Sequence, residues 1–333
     1  MKRLIAEFEE QSFTQIIFPH KNTDWKPYLQ EAQQCFINII NTIAEFQKCL
    51  VVCANKKEVQ TFFQPHKNIF FVEYVTDDTW ARDCSALSVL EDDKVVLYDF
   101  TFSAWGDKFE ATKDNLLTSF LTKYYTSPVK KIAYTLEGGG IESNGEGTLL
   151  TTATCMFHTN RNTSLTQEQR DLQVRTFFGA KEILYLHHGY LAGDDTDAHI
   201  DTLARFINKD TIMYVTCKDK EDEHYEELSK MQKELFDFAS THNYNLIPLP
   251  MCSPLYFEGE RLPATYANFL FVNGGVLVPV YGVKEDKEAI QIFKQTFPKR
   301  RIVPIDCSVL VRQHGSLHCV TMQFAQGVSL QRC

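Results

Sequence analysis

His314-Gly-Ser-Leu-His-Cys319 is the last of five polar motifs, and its place in the chain sets the rhythm by which the rest is read. A thiol follows an imidazole at the end of a small-residue turn, and Val320-Thr-Met322 runs on from it. Before the motif, the pattern predicts a helix over about 287–297 and a strand over 302–307. The order helix, strand, polar motif recurs four more times. A helix over about 28–48 and a strand over 49–54 precede Asp77-Asp-Thr-Trp-Ala-Arg-Asp83, and a helix over about 113–124 precedes Leu136-Glu-Gly-Gly-Gly140. A third helix starts at a capping box, Thr166-x-x-Gln169, and stops at Gly179. It leads to a strand over 182–186 and then to Asp195-Thr-Asp-Ala-His-Ile-Asp201. A fourth, over about 223–240, precedes a strand over 245–250 and the apolar run 266–279.

With Asp83, Glu137, His199, Asn268 and Cys319 as markers, the gaps are 54, 62, 69 and 51 residues. The repeat lies in order and spacing, not in residue identity. Five units around an axis would bring all five markers to one centre. A doubly wound sheet also alternates helices and strands, so the pattern alone leaves both arrangements standing within the α/β class.

The chain of 333 residues is 44% hydrophobic and 13% aromatic, enough for one large core, and residues 1–333 are expected to form a single domain. No apolar run is long enough for a transmembrane helix, and Met1-Lys-Arg-Leu-Ile lacks the apolar core of a signal peptide. A cytoplasmic protein is expected, with no membrane partner. Ten cysteines, at 35, 49, 53, 84, 155, 217, 252, 307, 319 and 333, include no Cys-x-x-Cys pair. Most lie in apolar runs such as Cys49-Leu-Val-Val-Cys53 and read as buried small hydrophobes. A net charge of -9 makes nucleic acid a poor partner and a small cation a better one.

The markers carry compatible chemistry. Cys319 reads as a loop-borne nucleophile or as one more buried thiol. His318 and Cys319 as joint metal ligands would point apart on a strand. His199 and Asp201, two apart, would share one face of a strand, an imidazole for proton transfer beside a carboxylate. Asp83 and Asp201 could grip both edges of a guanidinium, whose planar N–H fork matches carboxylates. Glu137 would orient His199 or take a substrate N–H, and the glycines after it allow close approach to a ligand. No phosphate-loop lysine follows them, so a nucleotide site is not indicated.

Together these stretches resemble the motif set of agmatine deiminases, which stand beside the bacterial peptidylarginine deiminases in the guanidine-modifying superfamily. The resemblance extends to Phe18-Pro-His-Lys-Asn-Thr-Asp-Trp25, Asn160-Arg-Asn162, Thr265-Tyr-Ala-Asn-Phe269 and Asn273-Gly-Gly-Val-Leu-Val-Pro279. It implies a pentein fold, an α/β propeller of five ββαβ-like units around a pseudo-fivefold axis. It also implies a cytoplasmic enzyme of putrescine biosynthesis without metal or organic cofactor, and a homodimer by family habit. Carried across, Cys319 is the nucleophile, His199 the proton carrier, Asp83 and Asp201 the guanidinium clamp, and Glu137 the support of His199. The substrate implied is agmatine, with free arginine, peptidylarginine or a non-catalytic binding pentein as alternatives. Recognition of the tail is expected from Asp77, Trp80, Trp105, Asp195 and Asn268. Arg161 or Arg205 would be the cation available to an arginine carboxylate. Two departures stand out: Cys84-Ser85 follows Arg82-Asp83 where relatives have Gly-Pro, and Ala198 replaces a usual Gly.

Overall fold

The computed structural model describes residues 2–331, so Cys333 lies outside the described residues. Five sheets share one plan: an antiparallel pair of strands, then a helix, then a strand parallel to the second of the pair. Leu87–Glu91 and Lys94–Thr101 pair antiparallel, and Asp114–Leu121 crosses to the parallel strand Val129–Thr135. Glu142–Ser143, Thr148–Thr152, helix Gln167–Phe178 and strand Glu182–Leu186 repeat it. So do Ala204–Asn208, Thr211–Thr216, Tyr225–His242 and Asn245–Pro250. Leu270–Val272, Gly275–Val280, Asp286–Thr296 and Arg301–Asp306 follow.

The fifth sheet joins the two ends of the chain. Thr321–Ala325 pairs antiparallel with Gln11–Ile17, and Leu29–Phe46 then leads to the parallel strands Lys48–Cys53 and Ile69–Glu73. The order within this sheet puts Thr321–Ala325 at one edge and Ile69–Glu73 at the other. A single doubly wound sheet is thereby excluded. Each of the five marker residues falls within five residues ahead of the first strand of a unit, so the markers occupy equivalent places.

Local chemistry explains the elements. Leu29–Phe46 buries Ala32, Cys35, Phe36, Ile39, Ile40, Ile43 and Ala44, the three-and-four spacing of one helical face. Thr166 and Gln169 form the expected capping box, and Gly179 ends its helix at φ 59°. A methyl group on Gly179 would lie 2.3 Å from the Lys2 carbonyl oxygen, so backbone packing as well as φ demands glycine. Helix ends depart from the sequence reading by a residue or two, as fraying termini do. The hairpin strands escape the helix–strand rhythm altogether. The turn joining the first pair, Asp92-Asp93 at φ 47° and 64°, lacks the glycine that announces such turns.

The closing strand carries much of the core. Phe324 is fully buried and stacks on Phe13 with ring centroids 4.5 Å apart. Phe324→Ala is expected to cost about 3–5 kcal/mol of unfolding free energy, since the rigid sheet cannot collapse onto the void. Urea titration of wild type and variant measures it, and a cost below about 1 kcal/mol would show that the ends do not depend on each other.

Candidate active site

Gly139 marks the centre. A methyl group there would lie 2.7 Å from His199 Nδ1 and 3.0 Å from both Asp201 Oδ2 and Asp83 Oδ1. Only a glycine lets these three side chains converge. Asp83 stands on the single helical turn Ala81–Cys84 and accepts from Gly139 N at 2.9 Å and Trp105 Nε1 at 3.0 Å. Trp105 reaches it from a turn that is left-handed through Ala104, Trp105, Gly106 and Asp107. Three of those residues are not glycine, so the turn stores strain, about 1–2 kcal/mol per residue, that its hydrogen bonds must outweigh. Ser103 Oγ accepts from Gly106 N at 2.9 Å, and Asn160 Nδ2 donates to Gly106 O at 3.3 Å.

His199 and Asp201 do not lie on a strand. His199 caps the 3-10 turn Ile200–Thr202, preceded by Asp197 and Ala198 at φ 67° and 63°. Ala198 is left-handed without being a glycine, and Thr152 Oγ1 donating to its carbonyl at 2.7 Å helps to hold it. His199 Nδ1 is 3.7 Å from Asp83 Oδ1 and Nε2 is 4.0 Å from Glu137 Oε2, while Nε2 has no hydrogen-bond partner. Glu137 therefore does not hydrogen-bond the imidazole. It accepts from Arg161 Nε at 2.8 and 3.1 Å and from Ser103 Oγ at 3.3 Å.

Asp201 Oδ2 lies 2.7 Å from His318 Nδ1 and accepts from Asn268 Nδ2 at 3.3 Å, leaving buried Oδ1 unpartnered. Cys319 follows in a turn, 7% exposed, with Sγ 3.8 Å from Asp201 Oδ2 and accepting from Asn268 Nδ2 at 3.2 Å. Asn268 Oδ1 in turn accepts from His318 N at 2.8 Å. It is fully buried, and its amide braces Cys319 and Asp201.

The electrostatics follow from burial without a cation. Burial, then Asp201 and Glu137, push Asp83 up to about 8. Burial opposes charge on Asp201 too, but the His318 hydrogen bond and positive neighbours hold it below its ordinary value. Burial pulls His199 down to about 3, against the upward pull of Asp201. Burial, with Asp201 and Asp83 alongside, drives the Cys319 thiol well above its usual range. Burial thus favours a neutral thiol at Cys319 and a neutral imidazole at His199.

Above Cys319 and Asp83 opens a cavity of about 690 Å³. Trp80, Trp105 and Asp195 line it as the sequence suggests, but Asp77 does not. The Asp77 carboxylate is taken by Lys113, accepting from its backbone N at 2.7 Å and pairing with its Nζ. Its neighbour Asp78 lines the cavity instead, with Asp24, Asp194 and Phe109, which sequence reasoning missed. Asp78 and Asp24 do fall inside quoted motifs, but nothing in a sequence says which of two adjacent aspartates faces inward. Among the described residues, no lysine or arginine lines this cavity. Arg161 is consumed by Glu137, Asp197 and the Thr196 carbonyl. Arg205 is consumed by Glu142, Glu7 and the carbonyls of Ala267 and Phe269.

Two clusters, Glu137 with Cys155 and His199, and Glu7 with Glu142 and His318, have ligand atoms close enough for a metal ion. In each a guanidinium, Arg161 or Arg205, already neutralises the carboxylates. His318 and Cys319 do not converge as ligands, because the ring faces Asp201 and Glu7 while Sγ faces Asn268.

The raised Asp83 has a consequence for stability. The unfolded chain ionises this carboxyl near 4, the folded one near 8, so wild type loses stability relative to Asp83→Asn between those pH values. Melting curves from pH 4 to 9 should show the variant's relative Tm climbing and then levelling above about 8. A pH-independent difference would mean that Asp83 is ionised in the empty site throughout.

Comparison with known proteins agrees with this geometry. A family model described as Porphyromonas-type peptidyl-arginine deiminase matches residues 3–325. An agmatine deiminase of C. jejuni, solved with substrate bound, is 40% identical, with a TM-score of 0.94 over 98% of this chain and 97% of that one. That of Enterococcus faecalis is 25% identical, with a TM-score of 0.90 over 98% and 96%. The agmatine deiminase of Medicago truncatula is 28% identical over 96% of this chain and 95% of its own. The mixed α/β fold is that of these solved structures, and the chain belongs to the Porphyromonas-type peptidyl-arginine deiminase family.

Proposed function

We propose that this chain is an agmatine deiminase, releasing ammonia from the guanidinium of agmatine and leaving N-carbamoylputrescine, a step toward putrescine. The observation that carries the reading is the cavity: five aspartates, two tryptophans and the Cys319 thiol line it, with no lysine or arginine among the described residues. Such a lining suits a molecule cationic at both ends and rejects the carboxylate of free arginine. Arg161 and Arg205, the cations an arginine carboxylate would need, are both engaged elsewhere. The nearly 40% identity to the substrate-bound C. jejuni enzyme supports the same substrate.

Cys319, His199, Asp83, Asp201 and Glu137 carry the chemistry in this reading. The guanidinium enters between Asp83 and Asp201, and its charge favours ionised Asp83, whose proton is released to solvent through the cavity mouth. With both carboxylates paired to a cation, the penalty on a thiolate at Cys319 falls, and neutral His199 takes the thiol proton. Sulfur adds to the guanidinium carbon, held so that the step is effectively unimolecular. His199 then protonates the departing nitrogen, ammonia leaves, and a thiouronium remains on Cys319. Water adds next, His199 takes its proton, the C–S bond breaks and the ureido product is free. Burial raises Glu137 against the pull of Arg161, and an imidazolium forming at His199, 4.0 Å from Glu137 Oε2, would favour its charged form.

The fold reading belongs to the same proposal: residues 1–333 as one catalytic domain, five ββαβ-like units set about a pseudo-fivefold axis. The equivalent places of the five markers and the paired chain ends support it. A cytoplasmic setting suits the nine free cysteines among the described residues, eight of them buried. Among the described residues no helix is long and apolar enough to cross a membrane.

Ammonia release from agmatine, free arginine and a blocked peptidylarginine tests the substrate. Agmatine alone should be turned over, and Cys319→Ala should abolish it. Turnover of either arginine compound at comparable kcat/KM would move the substrate, and no release from any of them would sink the catalytic reading. Asp195 lines the cavity, and Asp195→Asn should raise KM for agmatine roughly five- to thirtyfold with kcat little changed, the mark of a contact made equally before and in the transition state.

A further inference from the structure

Glu7 belongs to none of the motifs that carry the chemistry, yet three of them meet at its side chain. It accepts from Arg82 Nη1 at 2.7 Å, pairs with Arg205 Nη2, and lies 2.8 and 3.0 Å from His318 Nε2. Arg82 adjoins Asp83, Arg205 follows Asp201 by four residues, and His318 adjoins Cys319. Burial opposes charge on Glu7, but Arg205, Arg82 and His318 outweigh it and hold the carboxyl well below its usual range.

An ionised carboxylate can only accept, so His318 Nε2 carries a hydrogen. A neutral imidazole would then present a bare lone pair at Nδ1. Nδ1 sits 2.7 Å from Asp201 Oδ2, and two lone pairs do not approach so closely without a proton between them. Asp201 is itself held toward its charged form. Glu7 and Asp201 each face one ring nitrogen, with Arg82 and Arg205 also acting on the ring, while burial pushes the neighbouring Glu142 up to about 8. Burial and the two guanidiniums pull the ring toward neutrality, while a carboxylate at hydrogen-bond distance on each nitrogen retains the proton.

We propose that Glu7 is a positioning residue: by taking the Nε2 hydrogen it keeps His318 doubly protonated, and His318 in turn fixes Asp201 with Oδ1 turned free for the guanidinium. The inference rests on reading Asp201 as a substrate carboxylate, but its first test needs no substrate. In protein labelled with 15N at histidine, the His318 ring, identified by its loss in His318→Gln, should carry hydrogen on both nitrogens at pH 7. In Glu7→Gln, with two guanidiniums left facing it, the ring should hold one hydrogen only, and Glu7→Asp should restore the second. A singly protonated ring in wild type overturns the proposal, and that measurement stands even where Glu7→Gln fails to fold.

Kinetics give the second readout. Without the imidazolium beside it, Asp201 gains a proton more readily. The acid limb of kcat/KM for agmatine should therefore move to higher pH in Glu7→Gln, with a fall of roughly tenfold at neutral pH, the loss expected of one charged hydrogen bond. Glu7→Asp should keep the wild-type profile. Profiles of wild type and Glu7→Gln that superimpose after scaling would reduce Glu7 to a structural ion pair and overturn the assignment.

Discussion

Asp83, Asp201 and the Cys319 thiol are buried together, and among the described residues no lysine or arginine lines the cavity beside them. Like charges a few ångströms apart in a medium of low dielectric cannot all ionise, so some group must stay protonated or find a partner. The two carboxylates meet this constraint differently. Asp201 has His318, backed by Glu7 and two guanidiniums, and keeps its charge. Asp83 has only Gly139 N and the Trp105 indole, neutral donors, and is pushed up to about 8. A positive charge brought near Asp83 would favour its ionised form.

The fold serves that constraint by keeping other cations away from the seat while placing them behind it. Arg82 and Arg205 are fully buried on the far side of His318, and Arg161 is spent on Glu137 and Asp197. Five short sheets share this work, each preceded in the chain by one of the marker residues. No single element holds the site, and the pairing of Thr321–Ala325 with Gln11–Ile17 ties the Cys319 loop to the opposite end of the chain.

Much of this was legible in the residues, and the gaps have physical causes. Helix Gln167–Phe178 announced itself through Thr166, Gln169 and Gly179, because caps are local hydrogen-bond chemistry. Strands Glu182–Leu186 and Asn245–Pro250 were readable as apolar runs between turn signals. The strand assignment for His199 and Asp201 failed because convergence there comes from a 3-10 turn after two left-handed residues, Asp197 and Ala198, whose φ no spacing rule predicts. Asp77 and Asp78 are indistinguishable on paper; Lys113 decides between them by capturing one. Asn268, expected to bind the substrate tail, has its amide engaged by Cys319 and Asp201, a pairing that no local pattern announces. Glu7 lay wholly out of reach, since a contact spanning 311 residues to His318 leaves no local trace.

The asymmetry between the two carboxylates also orders the events of binding. A cation arriving at the cavity meets an already ionised Asp201, whose free Oδ1 is an acceptor awaiting a donor. Asp83 joins only by giving up its proton, and it does so because the arriving charge cancels the repulsion that kept the proton in place. A neutral molecule of the same shape would fill the space without triggering that release, and the thiol would stay protonated beside a neutral His199. Selection for a cation is thus not only a matter of attraction at the cavity mouth. In the proposed reaction it also rests on the buried carboxylates that raise the Cys319 thiol.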